Sequence, residues 1–316
     1  MSEVGFGAWG IAGTLWLGST EEESRRALAA AHDSGITFFD TALAYGDGLS
    51  ERLIGETLRA PLAGGSAIVA SKIPPKNRLW PARHDVPLAD VFPADYVRAC
   101  TEASLGFLGL PALPLQQFHV WQDRWLDDPG WDRTREAMLR LKEEGKVLHW
   151  GISINDHDPA SAMRALRDPL FETAQMIYNI YDRSPEPALF PFAAERGLGI
   201  INRVPFDEGG LTGAIEPKTR FAAGDFRARY FRGERPAEAA RRAGALKPLL
   251  GSEAATLPEL ALRFCLSRPE VSVVIPGART PGHAQANAAV SDGRRLSPAL
   301  LGRLAEHAWE KNWYAT

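Results

Sequence analysis

Two hydrophobic periods alternate along this chain. Apolar runs short enough for strands are followed by longer stretches whose apolar residues recur at helical spacing. Thr20-x-x-Glu23 is a capping box, and Ala27, Leu28 and Ala31 continue a helix until Ser34-Gly35 stops it. The run Ile36 to Phe39 reads as a buried strand ending on the carboxylate of Asp40. A second helix opens near Ser50, with Leu53, Ile54 and Leu58 on one face. Ala67 to Lys72 predicts a strand, Pro93 to Leu108 a helix, and Leu115 to His119 a strand ending in a histidine. A helix then ends at Glu143-Glu144-Gly145, and strand Val147 to Ile152 runs into Ser153. Another helix is expected to end near Leu166, followed by the short strand Ala174 to Tyr178, which carries Gln175. The helix Pro187 to Arg196 stops at Gly197, and strand Leu198 to Ile201 leads to Arg203. An alanine-rich helix, a second capping box at Thr256-x-x-Glu259 and the strand Val271 to Ile275 complete the series.

With a short first strand near Trp9, these make about eight strand–helix units, the number that closes a parallel barrel. The predicted fold is α/β, a single-domain (β/α)8 TIM barrel over residues 1–316. Long loops follow strand 3 (Ile73 to Pro93, with five prolines) and strand 7 (Asp207 to Arg235, rich in glycine). Gly5-Phe6-Gly7-Ala8-Trp9-Gly10 satisfies G-x-G-x-x-G, but no strand precedes it and Ile11-Ala12-Gly13-Thr14 is a poor helix start. It is not a Rossmann fingerprint.

Composition narrows the function without naming it. The formal net charge of -3 on 316 residues leaves no footprint for nucleic acid or an anionic membrane. No apolar run approaches the ~18 residues of a spanning helix, and only Cys100 and Cys265 are present, so no disulfide framework is implied. A cytoplasmic location is the expectation, and the oligomeric state is left open.

The chemistry lies at the strand ends. Asp40, Lys72, His119, Ser153 and Gln175 fall at or beyond the predicted C-terminal ends of successive strands, with Tyr45 on the loop after Asp40. A closed barrel brings those ends to one rim. A lysine beside a tyrosine stabilises the phenolate and so lowers a pKa of about 10, while a carboxylate keeps the lysine charged and positioned. His119 can orient a carbonyl oxygen beside the phenol. Such a proton donor, with neither metal ligands nor an activated nucleophile, suits hydride reduction by a bound cofactor.

The motifs Phe39-Asp40-Thr41-Ala42 with Tyr45-Gly46, Ser71-Lys72 and His119 resemble those of the aldo-keto reductase superfamily, and the likeness covers essentially the whole chain. The resemblance implies reduction of an aldehyde or ketone with NADPH (NADH possible), with Tyr45 as general acid supported by Asp40, Lys72 and His119. It also implies cofactor contacts from Ala8, Trp9 and Asp40, and a nicotinamide carboxamide held by Ser153 and Gln175. Arg203 and the pyrophosphate loop residues Val204, Pro205, Phe206, Gly209 and Leu211 would follow along the cofactor. Gly277, Arg279, His283 and Asn287 would hold the adenosine and its 2′-phosphate, at a helix start suited to anions. The sequence departs from the family at several of these places. Arg203 stands where an aromatic usually stacks on the nicotinamide, and Ile154 follows Ser153 where asparagine is frequent, with Asn155 one place later. His283 replaces a frequent arginine or glutamine, and Ala286 a frequent glutamate, so the NADPH preference rests largely on Arg279. By the same resemblance, the family's N-terminal hairpin is expected to be shortened or missing in the residues before Val4.

Trp9, Trp80, Trp121 and Trp125 are expected to form the flat apolar walls of a pocket for an aromatic or terpenoid carbonyl or a hydrophobic aldehyde. Two other classes compete with the reductase. One is a nicotinamide-nucleotide-binding sensor or regulatory subunit with little turnover, for which the Arg203 change leaves room. The other is a metal-dependent hydrolase, but none of the seven histidines pairs at ligand spacing, and Asn155-Asp156-His157-Asp158 reads as a solvated turn and cap. No metal is expected.

Overall fold

A computed structural model describes residues 1–314. Eight strands form one sheet: β1 (Phe6–Gly7), β2 (Phe38–Asp40), β3 (Ile68–Ile73), β4 (Leu113–Phe118), β5 (Val147–Ser153), β6 (Phe171–Ile177), β7 (Gly199–Arg203) and β8 (Val271–Val274). They pair in chain order and all in parallel. Gly5 N donates to Val274 O at 2.7 Å and Gly7 N to Pro276 O at 3.0 Å, which joins β8 to β1 and closes the (β/α)8 barrel.

Strand side chains alternate between the two faces of the sheet, and this alternation builds the interior. Phe38, Ala70, Leu115, Ile201, Val273 and Ile275 fill the barrel. Two residues further along, the same inward face presents Asp40, Lys72, Gln117 and Arg203. The apolar plug and the polar layer above it thus follow from one period of two. Gly151 lies at the equivalent level of β5, where a Cβ would sit 2.0 Å from Thr173 Oγ1 and 3.2 Å from Gln117 Cγ. Outward residues such as Phe39, Val69, Phe118 and Met176 join the larger core beneath the helices.

Two expectations need correction. The β5–β6 connection contains no α-helix; it has 3-10 turns at Pro159–Ala162 and Ala165–Arg167. Asp123 explains part of this, because its carboxylate takes the backbone N–H groups of Arg164 (2.6 Å) and Ala165 (2.9 Å) away from a helical ladder. Trp121 and Trp125 do not wall a pocket at the rim. Trp121 packs against Phe118 (5.3 Å), Phe171 (5.9 Å) and Trp131 (5.4 Å), on the outer side of the barrel wall. Trp125 stacks edge-on against Trp121 and Phe92, and both indoles are fully buried.

Candidate active site

The polar layer is organised around one buried ion pair. The Lys72 ammonium donates to Asp40 Oδ1 and, at 2.8 Å, to the Thr41 carbonyl. Asp40 Oδ2 accepts from Gln175 Nε2 at 2.8 Å and from Gln117 Nε2 at 3.5 Å. Neither charged side chain has more than a trace of solvent contact. Burial pulls the lysine pKa down from its ordinary value, and the Asp40 carboxylate opposes that pull. Gln117 was not singled out from sequence, although it stands two residues before His119 and therefore on the same strand face.

Tyr45 reaches this pair from the loop after β2. Its loop turns through Gly46 (φ +66°) and Gly48 (φ +92°), and a Cβ on Gly46 would lie 2.7 Å from the Ala12 carbonyl. The Tyr45 ring centroid is 5.1 Å from Lys72 Nζ and 5.5 Å from the His119 ring, which meets it edge-on. Burial, then the Asp40 carboxylate, pushes the phenol pKa up, with Arg203 pulling the other way. The net effect on the phenol is therefore upward, opposite to the lowering expected from the sequence, and the phenol keeps its proton. His119 is neutral, since burial and then the cations of Lys72 and Arg203 hold its pKa well below 6.5. Its backbone N–H is fixed to Ile73 O at 3.0 Å, while Nδ1 is buried without a partner.

Two of the four tryptophans stand at this site. Trp9 lies nearly parallel to Tyr45 (6.1 Å, 25°), and the half-exposed Trp80 meets His119 edge-on at 5.8 Å. Ser153 and Gln175 are register partners at the ends of β5 and β6, with the Gln175 amide engaged by Asp40. Asn155 is occupied elsewhere: its amide clasps the Ala82 N–H (2.9 Å) and carbonyl (3.2 Å), fastening the long loop after β3. Arg203 is pinned to Asp156 at 2.7 Å and to the Ile154 carbonyl at 3.0 Å, and His157 pairs with Asp182 at 2.5 Å. The side chains of Asn155, Asp156 and His157 are thus spent on internal contacts, while Asp158 stays exposed. Among the described residues no cluster of three His, Cys, Asp or Glu side chains is placed to hold a metal.

From Arg203 the chain enters a tight turn at Asp207–Gly209, whose neighbours Pro205, Phe206 and Leu211 complete the loop. Val204, Asp207 and Glu208 all adopt positive φ (+57°, +51°, +56°), a strained choice for non-glycine residues. At the neighbouring β8–β1 seam, Gly7 and Gly277 pair, and a Cβ on Gly7 would meet the Ile275 carbonyl at 2.7 Å. The neighbouring Ala8 is buried in the 3-10 turn Ala8–Ile11. Arg279 is half-buried, donates to the Leu17 carbonyl at 2.9 Å and lies 5.9 Å from the Trp16 ring. Helix Pro281–Ala288 begins at once, capped by Thr280 through His283 N, with Asn287 Nδ2 reaching back to Gly277 O at 3.4 Å.

These residues fit a dinucleotide. Buried donors without partners, His119 Nδ1, Arg203 Nε and Trp16 Nε1, lie at or beside the mouth, and a half-buried guanidinium waits at Arg279. Fold and site together describe a barrel with a protonated phenol, an ammonium–carboxylate pair and a neutral imidazole at one end. The aldo/keto reductase family model matches residues 3–308. An aldo-keto reductase of Bacillus subtilis (strain 168), YhdN, is 30% identical over 293 residues, covering 90% of this chain and 83% of that one. A probable voltage-gated potassium channel subunit beta of Arabidopsis thaliana is 27% identical, covering 97% of this chain and 92% of its own length. The solved structure of aldo-keto reductase AKR11C1 from Bacillus halodurans (holo form) superposes with a TM-score of 0.75 at 25% identity, covering 97% of this chain and 92% of that one. The chain belongs to the aldo/keto reductase family and is an oxidoreductase of that family.

Proposed function

We propose that this enzyme reduces an aldehyde or ketone to an alcohol in the cytoplasm, using NADPH in preference to NADH. The observation that carries the reading is the buried Lys72–Asp40 pair with the Tyr45 and His119 rings directly beside it. When bound, the nicotinamide supplies the hydride. Tyr45 holds the proton that the developing alkoxide takes up, its phenol kept neutral by burial. His119, also neutral, offers a ring N–H to the carbonyl oxygen and fixes its direction toward the phenol. Asp40 opposes the pull of burial on Lys72, and the ammonium's charge stabilises the phenolate left behind. Gln117 and Gln175 hold the other Asp40 oxygen, which keeps the ammonium aimed at the ring.

Trp9 and Trp80 support a flat apolar substrate, an aromatic or terpenoid carbonyl or a hydrophobic aldehyde, lying between the two indoles. Arg279 supports the preference for a 2′-phosphate. Fluorescence titration with NADPH and NADH, followed by a carbonyl panel, tests the whole reading. Tight NADPH binding and steady turnover of aromatic aldehydes are expected, whereas a preference for small charged or sugar carbonyls would overturn the substrate class. The similarity to a channel beta subunit, with Arg203 in place of a stacking aromatic, favours one second reading: a nucleotide-binding sensor. Binding without turnover across the panel would establish that alternative.

A further inference from the structure

The strained turn after β7 is held from outside by the end of the chain. Lys311 Nζ donates to both Asp207 carboxylate oxygens (2.7 and 2.9 Å) and to the Tyr230 hydroxyl (2.8 Å). The Lys311 and Asp207 side chains are 5% and 4% exposed, so this is a buried contact. Three residues later, the Tyr314 hydroxyl donates to Glu208 Oε1 at 2.5 Å. The same segment is anchored at several points. Trp309 N donates to the Tyr181 carbonyl at 2.9 Å, Arg229 to the Tyr314 carbonyl at 3.2 Å, and Arg235 to the Trp313 carbonyl at 3.3 Å. Arg242 stacks on Trp309 at 3.7 Å. A second grip comes from the segment just after β6, where Asn179 Nδ2 holds the Val204 carbonyl at 3.0 Å.

This arrangement addresses a charge problem. If the reductase reading is right, a dinucleotide pyrophosphate lies along residues 204–211, and Asp207 and Glu208 are two carboxylates in that segment. Like charges at such range in a low-dielectric site oppose binding strongly. Both carboxylates are turned to the C-terminal segment, one against an ammonium and one against a phenol. Gly210 makes the Asp207 rotamer possible, since a Cβ there would sit 2.7 Å from Asp207 Oδ2.

We propose that residues 309–314 are a clamp that shapes the cofactor loop and masks its acidic charge, with Lys311 as the positioning residue for diphosphate binding. The inference rests on the reductase reading for its ligand. The test compares Lys311→Met, Lys311→Arg and Lys311→Met/Asp207→Asn by equilibrium binding of NADPH and NADH and by hydrogen exchange of the nucleotide-free protein. Lys311→Met is expected to weaken both nucleotides by about tenfold or more, because the pyrophosphate is common to them. Lys311→Arg and the double variant should recover most of that loss, since one restores the cation and the other removes the charge it masks. Exchange at 204–211 should quicken in Lys311→Met and not in Lys311→Arg. Unchanged affinity in Lys311→Met, a loss confined to NADPH, or no recovery in the double variant would overturn the clamp. If the unaltered enzyme binds neither nucleotide, the reductase reading falls, and unchanged exchange at 204–211 then overturns the clamp on its own.

Discussion

Replacing Lys72 with methionine tests the physical core of the site. The substitution removes the ammonium from a fully buried pair but keeps most of the side-chain volume. Asp40 would then retain a 2.8 Å bond from Gln175 and a long 3.5 Å contact from Gln117, against a carboxylate's capacity for about four donors. Breaking a buried pair from one side destabilises by about 3–5 kcal/mol, because an uncompensated charge stays inside. Removing both charges is different: Lys72→Met/Asp40→Asn leaves no buried ion, and its stability should return to within about 1–2 kcal/mol of the unaltered protein. Urea unfolding followed by circular dichroism measures all three proteins. Carbonyl reduction should be lost by orders of magnitude in both variants, so stability and turnover separate in the double variant. A loss under about 1 kcal/mol for Lys72→Met, or a double variant no more stable than the single, would refute the argument.

Tyr45→Phe removes only the proton donor, so turnover should fall by about 10²–10⁴ while nucleotide affinity is retained; turnover near the unaltered level would remove Tyr45 from the role. Arg279→Ala should weaken NADPH by about 10–100-fold, the worth of a charge-assisted hydrogen bond, and barely affect NADH. Equal losses would show that Arg279 does not read the 2′-phosphate. Glu51 supplies a pH prediction. It is buried against Ser71, and burial pushes its carboxyl from 4.5 up to about 7. A carboxyl raised in the folded state contributes stability that is complete below pH 4.5 and lost as pH rises through about 7, amounting to about 3 kcal/mol at most. Glu51→Gln should therefore gain on the unaltered protein by up to that amount between the two pH values, as read from urea midpoints; a difference independent of pH would contradict the assignment.

The barrel and the positions of Asp40, Tyr45, Lys72 and His119 were legible in the sequence because each is a local feature. An apolar run that stops on a polar residue marks a strand end wherever it occurs, and a parallel barrel collects such ends at one rim. The capping box at Thr20 formed with both of its hydrogen bonds for the same reason. Gln117 was also within reach, since the period of two places it beneath His119. What a window of sequence does not contain is which distant group competes for a backbone N–H or covers a ring. Asp123 lies some forty residues from the N–H groups it withdraws from a helix. Trp121 and Trp125 follow a strand end as closely as a pocket residue would, yet turn outward because Phe118, Phe171 and Trp131 offer apolar area there.

The sequence by itself determined the number of units, the order of the strands and the residue types delivered to the rim, because these depend on periodicity and on punctuation by glycine and proline. Only the tertiary structure decided how the charges are spent. It gave the Lys72 ammonium a second acceptor in the Thr41 carbonyl, tied Arg203 to Asp156, and brought Lys311 across to Asp207. Electrostatic pairing acts over a few ångströms of space regardless of separation along the chain, so those partners existed only once the barrel had closed.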